Sequence, residues 1–237
     1  MLASNVAEVR RRVGEACRRA GRDPASVTLL AVTKGVPLER IRAAAALGLD
    51  AFGESRVQEA RSKLELLGRG EGRRGRWHLI GHLQRNKAKL AAVLFDAVHS
   101  ADSGELIDAL EAHRAAAPQA GTLDVFIQVN VAGEPAKHGC APQLAEPLAS
   151  RAAGSAHLRL AGLMAIAPWS DDPESARPVF RRMRELRDEI AAGLGWPATS
   201  LALSMGMSED FDVAVEEGAD IVRIGTAIFG ARTALGA

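Results

Sequence analysis

The feature that most constrains this chain is a repeated alternation of short apolar runs with longer amphipathic stretches. Eight runs read as strands: Val27 to Val32, Ala51 to Gly53, Trp77 to Ile80, Ala97 to His99, Val125 to Val131, Leu160 to Ile166, Ser200 to Leu203 and Ile221 to Ile224. Between them lie periodic segments rich in Ala, Leu, Arg and Glu, such as Leu38 to Leu47, Val57 to Leu67, Gly104 to Ala117 and Glu174 to Ala192. Strand followed by helix, eight times over, predicts parallel pairing through right-handed crossovers and closure into a (β/α)8 TIM-type barrel. A doubly wound open sheet is the alternative topology, but no glycine-rich dinucleotide fingerprint follows the first strand. An extra N-terminal helix is expected ahead of the barrel, starting at Ser4 as its N-cap, with Val6, Val9, Val13 and Cys17 on its apolar stripe and an arginine-rich face turned to solvent. The 237 residues are expected to form a single domain, since Gly68 to Arg76 and Ala167 to Pro173 are too short to act as linkers.

The 30 Lys and Arg against 29 Asp and Glu leave a formal charge of +1, which gives no overall reason to seek nucleic acid or an acidic membrane. Two cysteines, Cys17 and Cys140, have neither metal-site nor disulfide-framework spacing, and no apolar run is long enough to span a bilayer. A cytoplasmic protein is the expectation. Cys140, in His138-Gly139-Cys140, reads as a free loop thiol. His78 and His82 are four apart but straddle a strand end and a loop, so they are not expected to form a helical metal pair.

Functional groups of a parallel barrel gather at the carboxyl ends of its strands. Lys34 closes the first run and presents an amine beside Gly35, suited to a Schiff base with a carbonyl. The segment Ser204-Met205-Gly206-Met207-Ser208 follows the seventh run and Arg223-Ile224-Gly225-Thr226 ends the eighth; loops at these places are the recurrent phosphate site of this architecture. A lysine facing a phosphate cup suits a phosphorylated aldehyde. Asn86 and Lys87, beyond the third run, are further candidates for the mouth.

Several separated segments, in order, carry a resemblance over nearly the whole chain: Leu30-Ala31-Val32-Thr33-Lys34, Phe52-Gly53-Glu54 with Val57-Gln58-Glu59, Trp77-His78-Leu79-Ile80-Gly81, Leu83-Gln84-Arg85-Asn86-Lys87, Val98-His99-Ser100, Gln128-Val129-Asn130, Gly162-Leu163-Met164-Ala165-Ile166, Ser204 to Ser208 and Arg223 to Thr226. The chain resembles the pyridoxal phosphate homeostasis proteins. That resemblance implies a monomeric barrel like the cofactor-binding domain of alanine racemase, with pyridoxal 5′-phosphate as a Schiff base on Lys34. It implies that Ser204, Gly225 and Thr226 hold the phosphate, that Arg223 faces the pyridine nitrogen, and that Met205, Gly206, Ser208, Met164, Asn86 and Ser55 complete the surroundings. It further implies a cofactor carrier rather than an enzyme, with pyridoxal-phosphate-dependent apoenzymes or enzymes of vitamin B6 salvage as partners; an amino-acid racemase or another enzyme using the cofactor is the alternative. The chain departs from the family's pattern at Val36, where a second lysine is common, and at Ser55 and Arg56, where Asn and Tyr are common. Lys137 is the remaining candidate for a second amine.

Overall fold

A computed structural model of the chain describes residues 1–68, 75–135 and 137–231. The expected eight strands are present: β1 (Thr28–Val32), β2 (Ala51–Glu54), β3 (Arg76–Leu79), β4 (Ala97–Ala101), β5 (Leu123–Gln128), β6 (Leu158–Met164), β7 (Ala202–Ser204) and β8 (Ile221–Ile224). They pair in sequence order, all in parallel, and β8 returns to β1 to close the barrel. Around it run α2 (Leu38–Ala46), α3 (Val57–Leu67), α4 (Ala88–Leu94), α5 (Gly104–Ala115), α6 (Pro142–Ala153), α7 (Arg177–Gly193), α8 (Phe211–Glu216) and the short α9 (Thr226–Phe229), preceded by α1 (Leu2–Arg19). Most of the Gly68 to Arg76 loop lies outside the described residues.

Strand parity divides the barrel into two apolar layers. Outward residues such as Ala31, Phe52, Trp77, Val98, Ile127, Leu203 and Val222 join the helices in the large core, whereas Leu30, Ala51, Ala97, Phe126, Met164 and Ile221 form a separate cluster inside the barrel. Both faces of each strand are therefore covered, which is why the runs read as continuous apolar segments rather than as an alternation. The inner cluster leaves room for polar side chains on the same parity, and these lie nearer the carboxyl ends: His78, His99, Gln128, Ser204 and Arg223 are all buried. At the opposite end, Arg159 grips the buried Asp124 through two bonds of 2.6 Å, and Arg76 adds a third. Burial opposes ionisation of that carboxyl, but the two guanidiniums outweigh it and hold Asp124 below the usual carboxylate range.

The N-terminal helix differs from expectation in two respects. It begins at Leu2, two residues ahead of Ser4, because Leu2 already packs on the core and the Asn5 amide closes the first turn on the Met1 carbonyl. Its arginine face is also less solvated than the charge run suggests. Arg12 pairs with Asp212 and lies 4.2 Å over the Phe211 ring, Arg19 pairs with Glu216, and Arg10 donates to the carbonyls of Leu47 and Gly48. Arg22, just beyond the helix, bonds the Val215 and Ala219 carbonyls and Asp220. The cluster thus docks α1 across the β8–β1 seam, with only part of it in water.

The register between β5 and β6 slips by one, from Val125↔Leu160 to Phe126↔Gly162. Gly162 adopts φ +157°, and a Cβ there would sit 1.8 Å from the Ala202 carbonyl oxygen and 2.7 Å from its nitrogen. Such a bulge bends the strand and lets β7 approach at backbone contact. Gly162→Ala is expected to destabilise the fold by about 3 kcal/mol or more, through backbone overlap that no rotamer relieves. Urea unfolding measures this; a variant with an unchanged midpoint contradicts the close β6–β7 approach.

Candidate functional site

The first loop at the carboxyl rim is shaped by charged groups beneath it. Thr33, buried, donates its hydroxyl to Glu54 Oε1 at 2.6 Å; Lys63 of α3 donates to the same oxygen at 2.7 Å, to the Thr33 carbonyl at 2.6 Å and to Glu59 at 2.7 Å. Glu59 in turn accepts from the Gly35 amide at 2.6 Å. Glu54 is fully buried, so desolvation pushes its pKa up in spite of the Lys63 and Thr33 bonds, and its second oxygen has no partner. Glu59 also meets a burial penalty, but the Gly35 amide and Lys63 outweigh it and lower its pKa. The residue held between these clamped neighbours is Lys34, which is exposed at the mouth, two residues beyond the buried Val32. Composition and spacing gave no sign of this network, because Glu54, Glu59 and Lys63 read as ordinary polar positions of a strand end and a helix.

Across the β8–β1 seam lies Arg223, 4% exposed. Its guanidinium donates to the Ser204 carbonyl at 2.6 Å, the Ser204 hydroxyl at 3.0 Å and the Ala165 carbonyl at 2.8 Å. No carboxylate is bonded to it. Burial lowers its pKa to about 10, offset in part by the charge of Asp210, so it remains a cation at neutral pH and can only donate. Ser204 is fully buried, and its hydroxyl also lies 2.9 Å from His99 Nδ1, while His99 Nε2 lies 2.8 Å from His78 Nδ1. Since the Ser204 oxygen accepts from Arg223, its own proton finds an acceptor only at His99 Nδ1. The remaining protons then follow: His99 Nε2–H donates to His78 Nδ1, and His78 keeps its proton on Nε2, which is buried without a partner. A directed chain thus crosses the barrel from β8 to β3. Desolvation, then the charge of Arg76, lowers the His78 pKa to about 4; desolvation, then His78 and Arg223, lowers that of His99 well below its ordinary value.

The other expected site residues divide by depth. Thr226 is exposed, and Gly225 and Ser208 are half-buried; the Ser208 hydroxyl accepts from the Ala227 amide at 3.3 Å. Gly225 has φ −109°, and a Cβ there would meet nothing closer than Val32 Cβ at 3.5 Å, so neither backbone conformation nor protein packing requires a glycine. Gly206 is different: φ is +90°, and a Cβ would lie 2.5 Å from the Ala214 Cβ, so packing alone accounts for it. Met205 and Met164 are fully buried, Met205 in the large core between barrel and helices and Met164 in the cluster inside the barrel. Asn86 is exposed and Ser55 half-buried on the rim, where the Ser55 backbone packs against Gly81 so closely that a Cβ on Gly81 would fall 2.1 Å from the Ser55 carbonyl oxygen.

The sequence and the barrel are similar to those of known proteins. The sequence matches the alanine racemase N-terminal domain family over residues 2–233. It is 43% identical over 231 residues to a pyridoxal phosphate homeostasis protein of Pseudomonas aeruginosa, covering 98% of this chain and 96% of that one, and 42% identical over 227 residues to one of Aquifex aeolicus, covering 96% of each. The chain belongs to the pyridoxal phosphate homeostasis protein family. Its structure is similar to that of PipY of Synechococcus elongatus with pyridoxal phosphate bound, at a TM-score of 0.80 and 34% identity over 97% of this chain and all of PipY. No helix among the described residues is long and apolar enough to cross a membrane.

One further expectation changes within this family fold. Cys140 is not a solvated loop thiol: it is buried, it bridges Val129 at the end of β5, and burial followed by the nearby charge of Asp102 pushes its pKa up to about 11. Lys137 is tied to Glu134 at 2.7 Å and to the Ala167 carbonyl at 3.2 Å.

Because His78 is held neutral, the folded state binds fewer protons than the unfolded state between about pH 6.5 and pH 4. Stability contributed by neutral His78 is complete above about pH 6.5 and is lost as pH falls towards 4, on the order of 3 kcal/mol in all. His78→Asn, which retains an acceptor for the His99 proton, is expected to flatten the decline in urea midpoint from pH 7 to pH 5. A decline identical in both proteins assigns the acid sensitivity elsewhere.

Proposed function

We propose that this chain holds pyridoxal 5′-phosphate as a Schiff base on Lys34 and serves the homeostasis of that cofactor as a carrier without turnover. The observation that carries this reading is Arg223. Pyridoxal phosphate supplies an electron sink to amino-acid chemistry when its ring nitrogen is protonated. A buried cation with only donors to offer keeps a facing nitrogen in its unprotonated, acceptor form. Arg223 fits such an acceptor, because its bonds run to two carbonyls and a hydroxyl and leave its charge without a bonded carboxylate.

The remaining residues are assigned by the same fit. Lys34, on its clamped turn, offers the amine, which condenses with the aldehyde and releases water. Thr226 and Ser208 offer hydroxyls to the phosphate, and the space that a Cβ would occupy at Gly225 admits an oxygen close to the backbone. Ser204 serves by orienting Arg223, its hydroxyl being committed to Arg223 and His99. Asn86 and Ser55 line the rim, with Met164, Met205 and Gly206 completing the surroundings. The residues 1–237 act as one domain and as a monomer in the cytoplasm, with pyridoxal-phosphate-dependent apoenzymes or B6-salvage enzymes receiving or supplying the cofactor; the near-neutral charge supports no role for nucleic acid or membrane.

Racemisation requires a second acid/base on the opposite face of the bound amino acid, within about 3 Å of its proton. The chain contains no tyrosine, and His78 and His99 are buried in the barrel with lowered pKa values. Holo-protein incubated with single-enantiomer amino acids is therefore expected to yield no sustained Lys34-dependent racemisation or transamination by chiral chromatography. Multiple turnovers establish the enzyme reading instead.

Borohydride reduction and peptide mass spectrometry are expected to place the reduced cofactor on Lys34, and Lys34→Ala to abolish visible absorbance. Reduction mapped to Lys87 or Lys137 overturns the site. Thr226→Ala with Ser208→Ala is expected to weaken binding of the phosphorylated cofactor by about a hundredfold or more, at roughly 1.5–3 kcal/mol per charged hydrogen bond, and to leave that of pyridoxal unchanged.

A further inference from the structure

The strands β3, β4 and β5 form the arc of the mouth away from Lys34 and Arg223. Each delivers one ligand-type side chain there: His82 three residues after β3, Asp102 directly after β4, and His138 in the loop after β5. One ligand atom from each lies within 4.8 Å of the others. The two imidazoles are stacked with centroids 3.8 Å apart and planes 7° from parallel, and Asp102 Oδ2 lies 3.7 Å from His82 Nδ1. Among the described residues, none of the three side chains makes a hydrogen bond, so their lone pairs are open.

The third member is held by the fold. Cys140 donates its amide to the Gln128 carbonyl at 2.9 Å and accepts from the Asn130 amide at 2.9 Å, which lays the segment beside the end of β5. Gly139 permits this at φ +119°, where a Cβ would lie 2.8 Å from the Asn130 nitrogen. His82 and His138 also line a cleft of about 220 Å³ together with Gln128. Gln128 is 5% exposed; its amide nitrogen donates to the His138 carbonyl at 3.1 Å, and its Oε1 is buried without any partner. Gln128, one of the residues lining this cleft, therefore carries a buried acceptor without a partner among the described residues.

We propose that His82, Asp102 and His138 bind a divalent transition-metal ion of the zinc class, with a water on its open position as donor to Gln128 Oε1. Two imidazoles and one carboxylate are a borderline donor set that suits such ions rather than Ca²⁺ or Mg²⁺. Zn–N and Zn–O bonds of about 2.0–2.2 Å in tetrahedral array bring ligand atoms to roughly 3.4 Å of one another. Parallel rings 3.8 Å apart cannot both aim an in-plane lone pair at one ion, so binding requires His82 and His138 to unstack, which their exposure at the mouth permits. The cluster is built from residues other than those assigned to the cofactor, so the two sites stand or fall separately.

The test is calorimetric titration of the pyridoxal-phosphate-loaded protein with Zn²⁺ in a buffer free of chelators, thiols and phosphate. One ion per chain is expected, with affinity reduced at least about tenfold in His138→Ala and in Asp102→Asn, and retained in Cys140→Ala. Circular dichroism checks that each variant is folded, and the exposed His138 makes its variant the decisive one. Absence of binding by the unsubstituted protein, equal affinity in His138→Ala, or loss in Cys140→Ala with retention in His138→Ala overturns the site.

Discussion

A buried guanidinium is the constraint around which the barrel's interior is organised. Isolated, a charge in this position is expensive, and full compensation by a bonded carboxylate is not what the fold supplies. Arg223 instead takes two backbone carbonyls, from β7 and from the residue after β6, and one hydroxyl. Those bonds bind β8 to its neighbours in the lumen and add to the backbone bonds of the β7–β8 seam, which run from the Asp220, Met205 and Arg223 amides to the Leu203, Ile221 and Gly206 carbonyls. The same cation sets the polarity of everything in series with it. Ser204 can only accept from Arg223, so it donates to His99; His99 then donates to His78, and both rings stay neutral.

The amine at the mouth is governed by a second buried set on the other side of β1. Thr33 and Glu54 have outward parity and meet Lys63 between the barrel and α3, whereas Lys34 and Gly35 lie just beyond. A buried ion pair of this kind is weak evidence for stability, because desolvation offsets most of the attraction. Its effect here is geometric. Lys63 binds the Thr33 carbonyl and both glutamates, and Glu59 receives the Gly35 amide, so the backbone on either side of Lys34 is fixed while its side chain remains outside the network. The exposed Lys34 is thereby held on a fixed turn at the barrel mouth.

The sequence disclosed those features that depend on local pattern and on the general rule for barrel mouths. Eight apolar runs separated by amphipathic segments give the topology, and the rule that function lies at strand ends singles out Lys34, Arg223 and Thr226. It did not disclose depth. Ser204 looks as available as Thr226 in a string of small residues, yet one is sealed under Arg223 and the other is exposed, because β7 ends at Ser204 and the backbone beyond it turns over α8. His99 stands in the Val98-His99-Ser100 segment of the resemblance, but its depth gave no signal: the β4–β5 register slips between Val98 and Ala101, across His99 and Ser100. Cys140 and His138 were unreadable for a related reason, since their position depends on a single bridge to Val129, eleven residues away in the chain.

Closure of the barrel determines how these groups share one mouth. Because β8 pairs with β1, residues from the start and end of the chain, Lys34 with Ser208, Arg223, Gly225 and Thr226, gather on one arc although nearly two hundred positions separate them. The middle of the chain, β3 to β6, forms the opposite arc, with His82, Asp102, Gln128 and His138. The hydrogen-bonded chain from Arg223 to His78 is the polar connection beneath both. A cofactor seated against Arg223 would occupy the first arc and leave the second facing solvent, so the cleft beside Gln128 stays accessible whether or not the first is filled. That separation follows from strand order, and it keeps the residues assigned to the cofactor apart from His82, Asp102 and His138.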